Sequence, residues 1–193
     1  HLFNLCLFLF RFLPASGAGF LPGKDFRIDD DSFDSRTDIQ GGVPHVTRLR
    51  LHSRLPVVLP ERVTPSLCDA LAGTRLRVVV VIHANHAQEI DASVQQACAR
   101  LAESGFHLLN QSVLLRGVNE SVTALTHLSE ALFAAGVLPY YLHLLDRVQG
   151  AAHFDVSEDV ARQLMAGLNA RLPGYLVPRL VSEVPGGSGK QLI

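Results

Sequence analysis

The chain has 193 residues and a formal net charge of −1 at pH 7, enough for one domain with a sizeable core. Balanced charge without a basic stripe argues against an electrostatic nucleic-acid binder. Three scattered cysteines, Cys6, Cys68 and Cys98, form no disulfide framework and point to a reducing, cytoplasmic setting.

The opening run, residues 2–14, is apolar but broken by Arg11, and is too short to cross a bilayer as a helix. Small residues from Ala15 to Ala18 follow it, as after a signal peptide, but no basic segment precedes it. Residues 15–44 mix glycine, proline and acids without period and predict loop, with room for one weak helix. The chain starts at His1, holds one methionine, Met165, and stops soon after a glycine-rich turn, so it is expected to be a piece of something longer.

From residue 46 the pattern becomes regular. Residues 46–54 predict a strand, and 64–73 a helix with Thr64 as N-cap and Pro65 in its first turn. The β-branched run 75–84 predicts a strand, and 89–105 an amphipathic helix closed by Gly105. Residues 106–115 predict a strand, a helix near 120–135 closes at Gly136, and 138–145 predict a strand. A helix over 156–172 starts with Ser157 and acids in its first turn, and a last strand covers 174–184, with Pro178 marking an edge or irregular position. Strand–helix alternation at roughly thirty residues per unit is that of βαβ units, and the apolar strands imply a parallel sheet. An open doubly wound sheet and a partial (β/α) barrel both fit the alternation. The polar residues favour the barrel.

Those polar residues gather at predicted strand ends: His52, Ser53 and Arg54; His83, Asn85 and His86; Asn110 and Gln111; His143 and Asp146, with His153 soon after; and Glu183. In a parallel barrel such ends converge on one face, where active sites are built. The chain closes on PGGSGK, ending at Lys190. A P-loop would need glycine at Val184 and Ser or Thr at Gln191, so that motif fails. A lysine beside a glycine-rich turn suits pyridoxal phosphate instead. His83-x-x-His86 with His52, His143, His153 and Asp146 leaves open a metal-dependent barrel hydrolase.

The runs RLHSRLPVVLPERVT, HANHAQEI, NQSVLLRGVN, PYYLHLLDRVQGAAHF and GYLVPRLVSEVPGGSGK resemble, in order and spacing, the radical S-adenosylmethionine lysine 2,3-aminomutases over about residues 43–193. LLDRVQGAAHF looks most like the branch that serves β-lysylation of elongation factor P. The resemblance implies a radical-type α/β fold, a partial TIM-like barrel with incomplete N-terminal strands. It divides the chain into an irregular segment 1–44 and the C-terminal part of a barrel, 45–193. It implies conversion of L-lysine to (R)-β-lysine with pyridoxal phosphate, S-adenosylmethionine and a [4Fe-4S] cluster. It carries Lys190 over as the pyridoxal phosphate lysine, Asp146 and Glu183 as the acids that hold the substrate ε-ammonium, and Arg54, His83 and Gln111 as S-adenosylmethionine contacts. No nucleic-acid or membrane partner is implied, and an oligomer is compatible.

The N-terminal part departs from the family. Its cluster motif is C-x3-C-x2-C; Cys6 falls on the middle cysteine, but Leu2 and Leu9 stand at the other two. One thiolate cannot hold a cluster that needs three from this motif. The glycine-rich S-adenosylmethionine segment is reduced to something like Gly23–Asp25. The expectation is a chain without radical chemistry of its own, or a non-catalytic remnant that still binds pyridoxal phosphate.

Overall fold

The computed structural model describes residues 45–146, 150–183 and 190–193, with the backbone of 19–20 and 25–28. Eight strands form one sheet: β1 (Gly19–Phe20), β2 (Asp25–Ile28), β3 (Arg48–Ser53), β4 (Arg77–Ile82), β5 (His107–Val113), β6 (Leu138–His143), β7 (Arg179–Glu183) and β8 (Lys190–Leu192). They lie side by side in chain order. Strands β2 to β7 run parallel, and β1 and β8 pair antiparallel at the two edges. A doubly wound sheet reverses its strand order at a switch point. None occurs here, so the parallel strands form a six-stranded half-barrel, as the polar strand ends suggest.

Among the described residues, five helices intervene: α1 (Leu55–Val58), α2 (Pro65–Ala72), α3 (Ala92–Glu103), α4 (Val122–Ala134) and α5 (Glu158–Asn169). Their starts follow from side-chain caps. The Thr64 hydroxyl accepts from the Leu67 N–H, Asp91 from Ser93 and Val94, Ser121 from Ala124 and Ser157 from Val160, satisfying amides the helix itself leaves orphaned. Gly105 and Gly136 reverse the chain after α3 and α4 at φ of 82° and 75°, a region costly for residues with a Cβ.

Alternation along the strands separates two faces. Leu49 and Leu51, Val78, Val80 and Ile82, and Leu108 pack with Cys68, Leu71, Val94, Cys98, Leu101, Leu128 and Leu132 of the helices. Leu142 and Leu180 pack with Ala161, Leu164 and Leu168 of α5. The residues between them, including Arg50, His52, Gln111, Tyr141, His143 and Glu183, take the opposite, concave face.

Three corrections to the predicted elements have physical causes. Residues 19–28, where mixed composition predicts loop, contribute β1 and β2, held by ladder bonds that can form without an apolar period. Residues 174–178 are a single helical turn and its exit, and Pro178 stands before β7 rather than inside it. Lys190, beyond the last predicted strand, is paired in β8, opposite Glu183.

Asparagines stitch the strand ends. Asn110 Oδ1 accepts from the Ala84 N–H at 2.9 Å and its Nδ2 donates to the Ala84 carbonyl at 3.0 Å. Asn85 Oδ1 accepts from Val113 N–H at 2.8 Å. Asn119, fully buried, accepts from Leu115 N–H at 2.7 Å and donates to the Asn85 and Val113 carbonyls, each at 2.9 Å. Replacing it by leucine strips that donor and acceptor from three backbone groups, each costing about 1–3 kcal/mol when left unsatisfied. Asn119→Leu is therefore expected to lower unfolding stability by at least ~2 kcal/mol, measured by urea denaturation. A midpoint equal to wild type would contradict it.

Candidate active site

The C-terminal ends of the parallel strands deliver side chains to one end of the concave face in two groups. The first is built by β6, β7 and β8. Pairing sets Glu183 directly opposite Lys190, so both side chains take the same face. Lys190 Nζ lies 3.6 Å from Glu183 Oε1, 3.0 Å from His143 Nε2 and 4.8 Å from the centre of the Tyr141 ring. The other ring nitrogen of His143, Nδ1, faces Glu183 Oε1 at 4.0 Å.

Asp146 follows β6 and joins this group through its charge. Partial desolvation and then the Glu183 carboxylate raise its pKa above the usual carboxylate value, while Lys190 pulls it the other way. A register shift between Asn110 and Gln111 sets Gln111 opposite Tyr141 and leaves Tyr140 as an extra residue, the arrangement of a bulge. The Tyr140 and Tyr141 rings lie 3.8 Å apart. Burial, then the contact with Tyr141, raises the Tyr140 phenol, with Arg50 and Arg179 opposing.

The second group is built by β3 and β4. Arg54, buried, reaches Glu89 at 3.2 Å. The other oxygen of Glu89 accepts from the Asn85 and His86 N–H groups at 2.7 and 2.9 Å. One carboxylate thus ties the loop after β3 to the turn after β4. The His52 and His83 rings, both buried, lie 5.9 Å apart between these strands. Gln111 of β5 is buried, and its Oε1 has no hydrogen-bond partner among the described residues.

The structure therefore brings Lys190, Glu183 and Asp146 together, and sets His52 near His83, with Arg54 just past the end of β3 and bound to Glu89. It leaves two histidines aside. His86 Nδ1 accepts from Gln88 N–H and closes its own turn, and exposed His153 stacks on Phe154 at 3.9 Å. Among the described residues no group of three or more His, Cys, Asp or Glu could hold a metal ion. The described residues thus do not fit an iron–sulfur cluster or a hydrolase metal centre. Cys68 and Cys98 are buried in the helix-side core, and burial pushes the Cys98 thiol up to about 11. Cys6 and the turn 184–189 lie outside the described residues. Also among the described residues, no helix is long and apolar enough to cross a membrane.

The donors do fit the two organic cofactors. An orphaned buried amide oxygen at Gln111 suits a polar ligand, and a half-buried amine beside an aromatic ring suits an aldehyde-bearing one. Glu89 and the roles of Tyr141 and His143 escape sequence reasoning. The signal for Glu89 was its place three residues after His86, the spacing of a capping box, which the structure forms.

No family model matches the chain. Among curated proteins, it is 54% identical over 148 residues to the L-lysine 2,3-aminomutase of Escherichia coli, covering 77% of this chain and 43% of that protein. It is 51% identical over 150 residues to that of Haemophilus influenzae (78% and 44%), and 41% identical over 148 residues to that of Clostridium subterminale (77% and 35%). The chain spans less than half the length of these relatives.

Two solved structures resemble it in part. A radical SAM methyltransferase from Sphaerobacter thermophilus has a TM-score of 0.48 at 19% identity, over 69% of this chain and 40% of that one. A domain of a pyruvate-formate lyase-activating enzyme from Bacteroides vulgatus has a TM-score of 0.47 at 15% identity, over 71% and 81%. Likeness at that level carries no argument, whereas identity near one half along three quarters of the chain shows kinship. By that sequence identity, the chain belongs to the L-lysine 2,3-aminomutase family.

Proposed function

We propose that this chain carries the lysine-handling part of a lysine 2,3-aminomutase, converting L-lysine to (R)-β-lysine, with the product destined for β-lysylation of elongation factor P. The observation that carries the proposal is the group around Lys190. It already accommodates a primary ammonium, 3.6 Å from Glu183 and 4.8 Å from the Tyr141 ring, with Asp146 within electrostatic reach. A substrate ε-ammonium is the same chemical group. The run LLDRVQGAAHF supports the elongation factor branch.

When bound, pyridoxal phosphate supplies an aldehyde that holds the migrating nitrogen, and S-adenosylmethionine with its cluster supplies the hydrogen-abstracting radical. This chain's residues bind and orient. Lys190 offers the amine. Asp146 and Glu183 hold the ε-ammonium by charge-assisted contacts. Arg54, His83 and Gln111 hold S-adenosylmethionine, with Arg54 kept in place by Glu89. The chain's three cysteines are not spaced as a cluster motif, so we assign the radical half of the reaction to no residue here and expect the chain alone to be inactive.

Two measurements test this. Borohydride treatment of the protein with pyridoxal phosphate should fix one adduct, and peptide mapping should place it on Lys190; the chain's other lysine, Lys24, is the internal control. Label on Lys24 alone would refute the assignment. In the second, Asp146→Asn should weaken L-lysine binding about 10–100-fold, from the ~1.5–3 kcal/mol of a charged hydrogen bond, and leave pyridoxal phosphate binding nearly unchanged.

The pH dependence has a definite sign. The Asp146 carboxyl is raised in the folded chain, so protonation favours the fold: its stabilising contribution is full below the ordinary carboxylate value and is lost as pH rises through the raised one. Lysine binding runs the opposite way, because only the ionised carboxylate pairs with an ammonium. Affinity should fall as pH drops through the raised value, above the ordinary carboxylate pKa of about 3.9. Calorimetric titration across that window should show the fall in wild type and a smaller one in Asp146→Asn. Identical pH curves would remove Asp146 from the site.

A further inference from the structure

We propose that His143 is a catalytic base for Lys190: it takes the proton that the Lys190 ammonium must lose before its amine can attack an aldehyde. The proposal rests on the reading of Lys190 as the pyridoxal phosphate lysine. Three features of the structure lead to it. The two side chains touch, Lys190 Nζ to His143 Nε2 at 3.0 Å. His143 is buried at the last position of β6, where the ladder pairs its backbone with Val113 and Val181. Its far nitrogen, Nδ1, faces Glu183 Oε1 at 4.0 Å.

That order of groups is carboxylate, imidazole, amine. A 3.0 Å contact between two nitrogens needs one donor and one acceptor. With Lys190 as the ammonium, Nε2 accepts, and the neutral ring carries its proton on Nδ1, toward Glu183. When the proton crosses from Nζ to Nε2, the ring becomes an imidazolium beside a carboxylate, and Nζ becomes a neutral amine with a free lone pair. Capture of an aldehyde then forms the C=N bond and releases the carbonyl oxygen as water. Relative to the starting ammonium one proton is lost, and it is the one His143 has taken. If the ring is protonated beforehand, two cationic donors face each other at this distance, and the transfer cannot occur.

Other charged groups face the pair. Tyr141 lies on β6 itself, Asp146 follows β6, Glu183 comes from β7 with Arg179 lower on the same face, and β5 contributes only the neutral Gln111 and Val113. Among the described residues, His143 Nε2 offers Nζ a nitrogen acceptor.

The test is the rate of pyridoxal phosphate capture by the full chain, followed by absorbance from pH 5.5 to 8.5 and paired with borohydride trapping and peptide mapping. In wild type the rate should fall at the acid end as His143 becomes protonated. His143→Gln, which keeps a polar side chain, should capture about 100-fold more slowly at neutral pH, the lower end of general-base effects, and should lose the acid-side inflection attributable to the ring. His143→Ala should be slow and should recover with added imidazole, a response that loss of packing alone does not produce. Capture at the wild-type rate by either variant, or no recovery with imidazole, overturns the role. Mapping separates this from failure of the underlying reading. Adducts on Lys190 in all three proteins leave the reading intact whatever the rates, whereas wild-type label on Lys24 or no label removes both.

Discussion

Strand side chains point alternately to opposite sides, and six parallel strands laid in chain order turn that rule into two chemically opposite surfaces. Each odd-or-even set must go wholly to one side, because a slip of one residue would send leucines and valines to the concave face and histidines into the helix layer. Leu49 and Leu51 commit β3 to this arrangement, Val78, Val80 and Ile82 commit β4, and Leu142 and Leu180 commit β6 and β7. With those positions buried, His52, Gln111, His143 and Glu183 have only the concave side left. Placement of the polar groups is thus a by-product of hydrophobic burial, which supplies the dominant favourable energy of folding.

Within that frame two carboxylates organise the ends of the strands. Glu89 meets Arg54 and two backbone N–H groups, so both its oxygens are bonded and the loops after β3 and β4 are tied together. Glu183 faces a lysine and a histidine, with a second carboxyl, Asp146, near enough to resist ionisation. The first is a closed structural knot. The second sets two carboxyl groups and an imidazole around one lysine, so the charges there influence one another.

Much of this was legible in the residues. Apolar strands alternating with capped, glycine-closed helices pointed to a parallel sheet, and five polar strand ends singled out the barrel over the doubly wound alternative. In the fold, Lys190 lies 3.6 Å from Glu183, and Asp146 is close enough to feel the charge of both. What was not legible depends on contacts between distant segments. β2 has no apolar period and exists through its ladder to β3. The bulge at Tyr140 depends on how β6 pairs with β5, which no local pattern records. Asn85 and Asn110, polar and at strand ends, looked like site residues. They serve the backbone instead, because unpaired amides at Ala84 and Val113 would be costly to bury. Glu89 fell at the start of a predicted helix, and only the fold brings Arg54 to it.

The antiparallel pairing of β7 with β8 has an evolutionary consequence. Amine and carboxylate sit on facing rungs, Lys190 across from Glu183 and Gln191 across from Ser182. Sliding β8 by one rung would aim Lys190 at the helix layer and present Gln191 to the concave side. A drift in loop length between these strands that altered the rung would silence the lysine without touching any residue of the site. Substitutions in the connecting turn should accordingly be inherited far more freely than insertions or deletions of a single codon, and lineages that lose the chemistry could do so by a change of length alone.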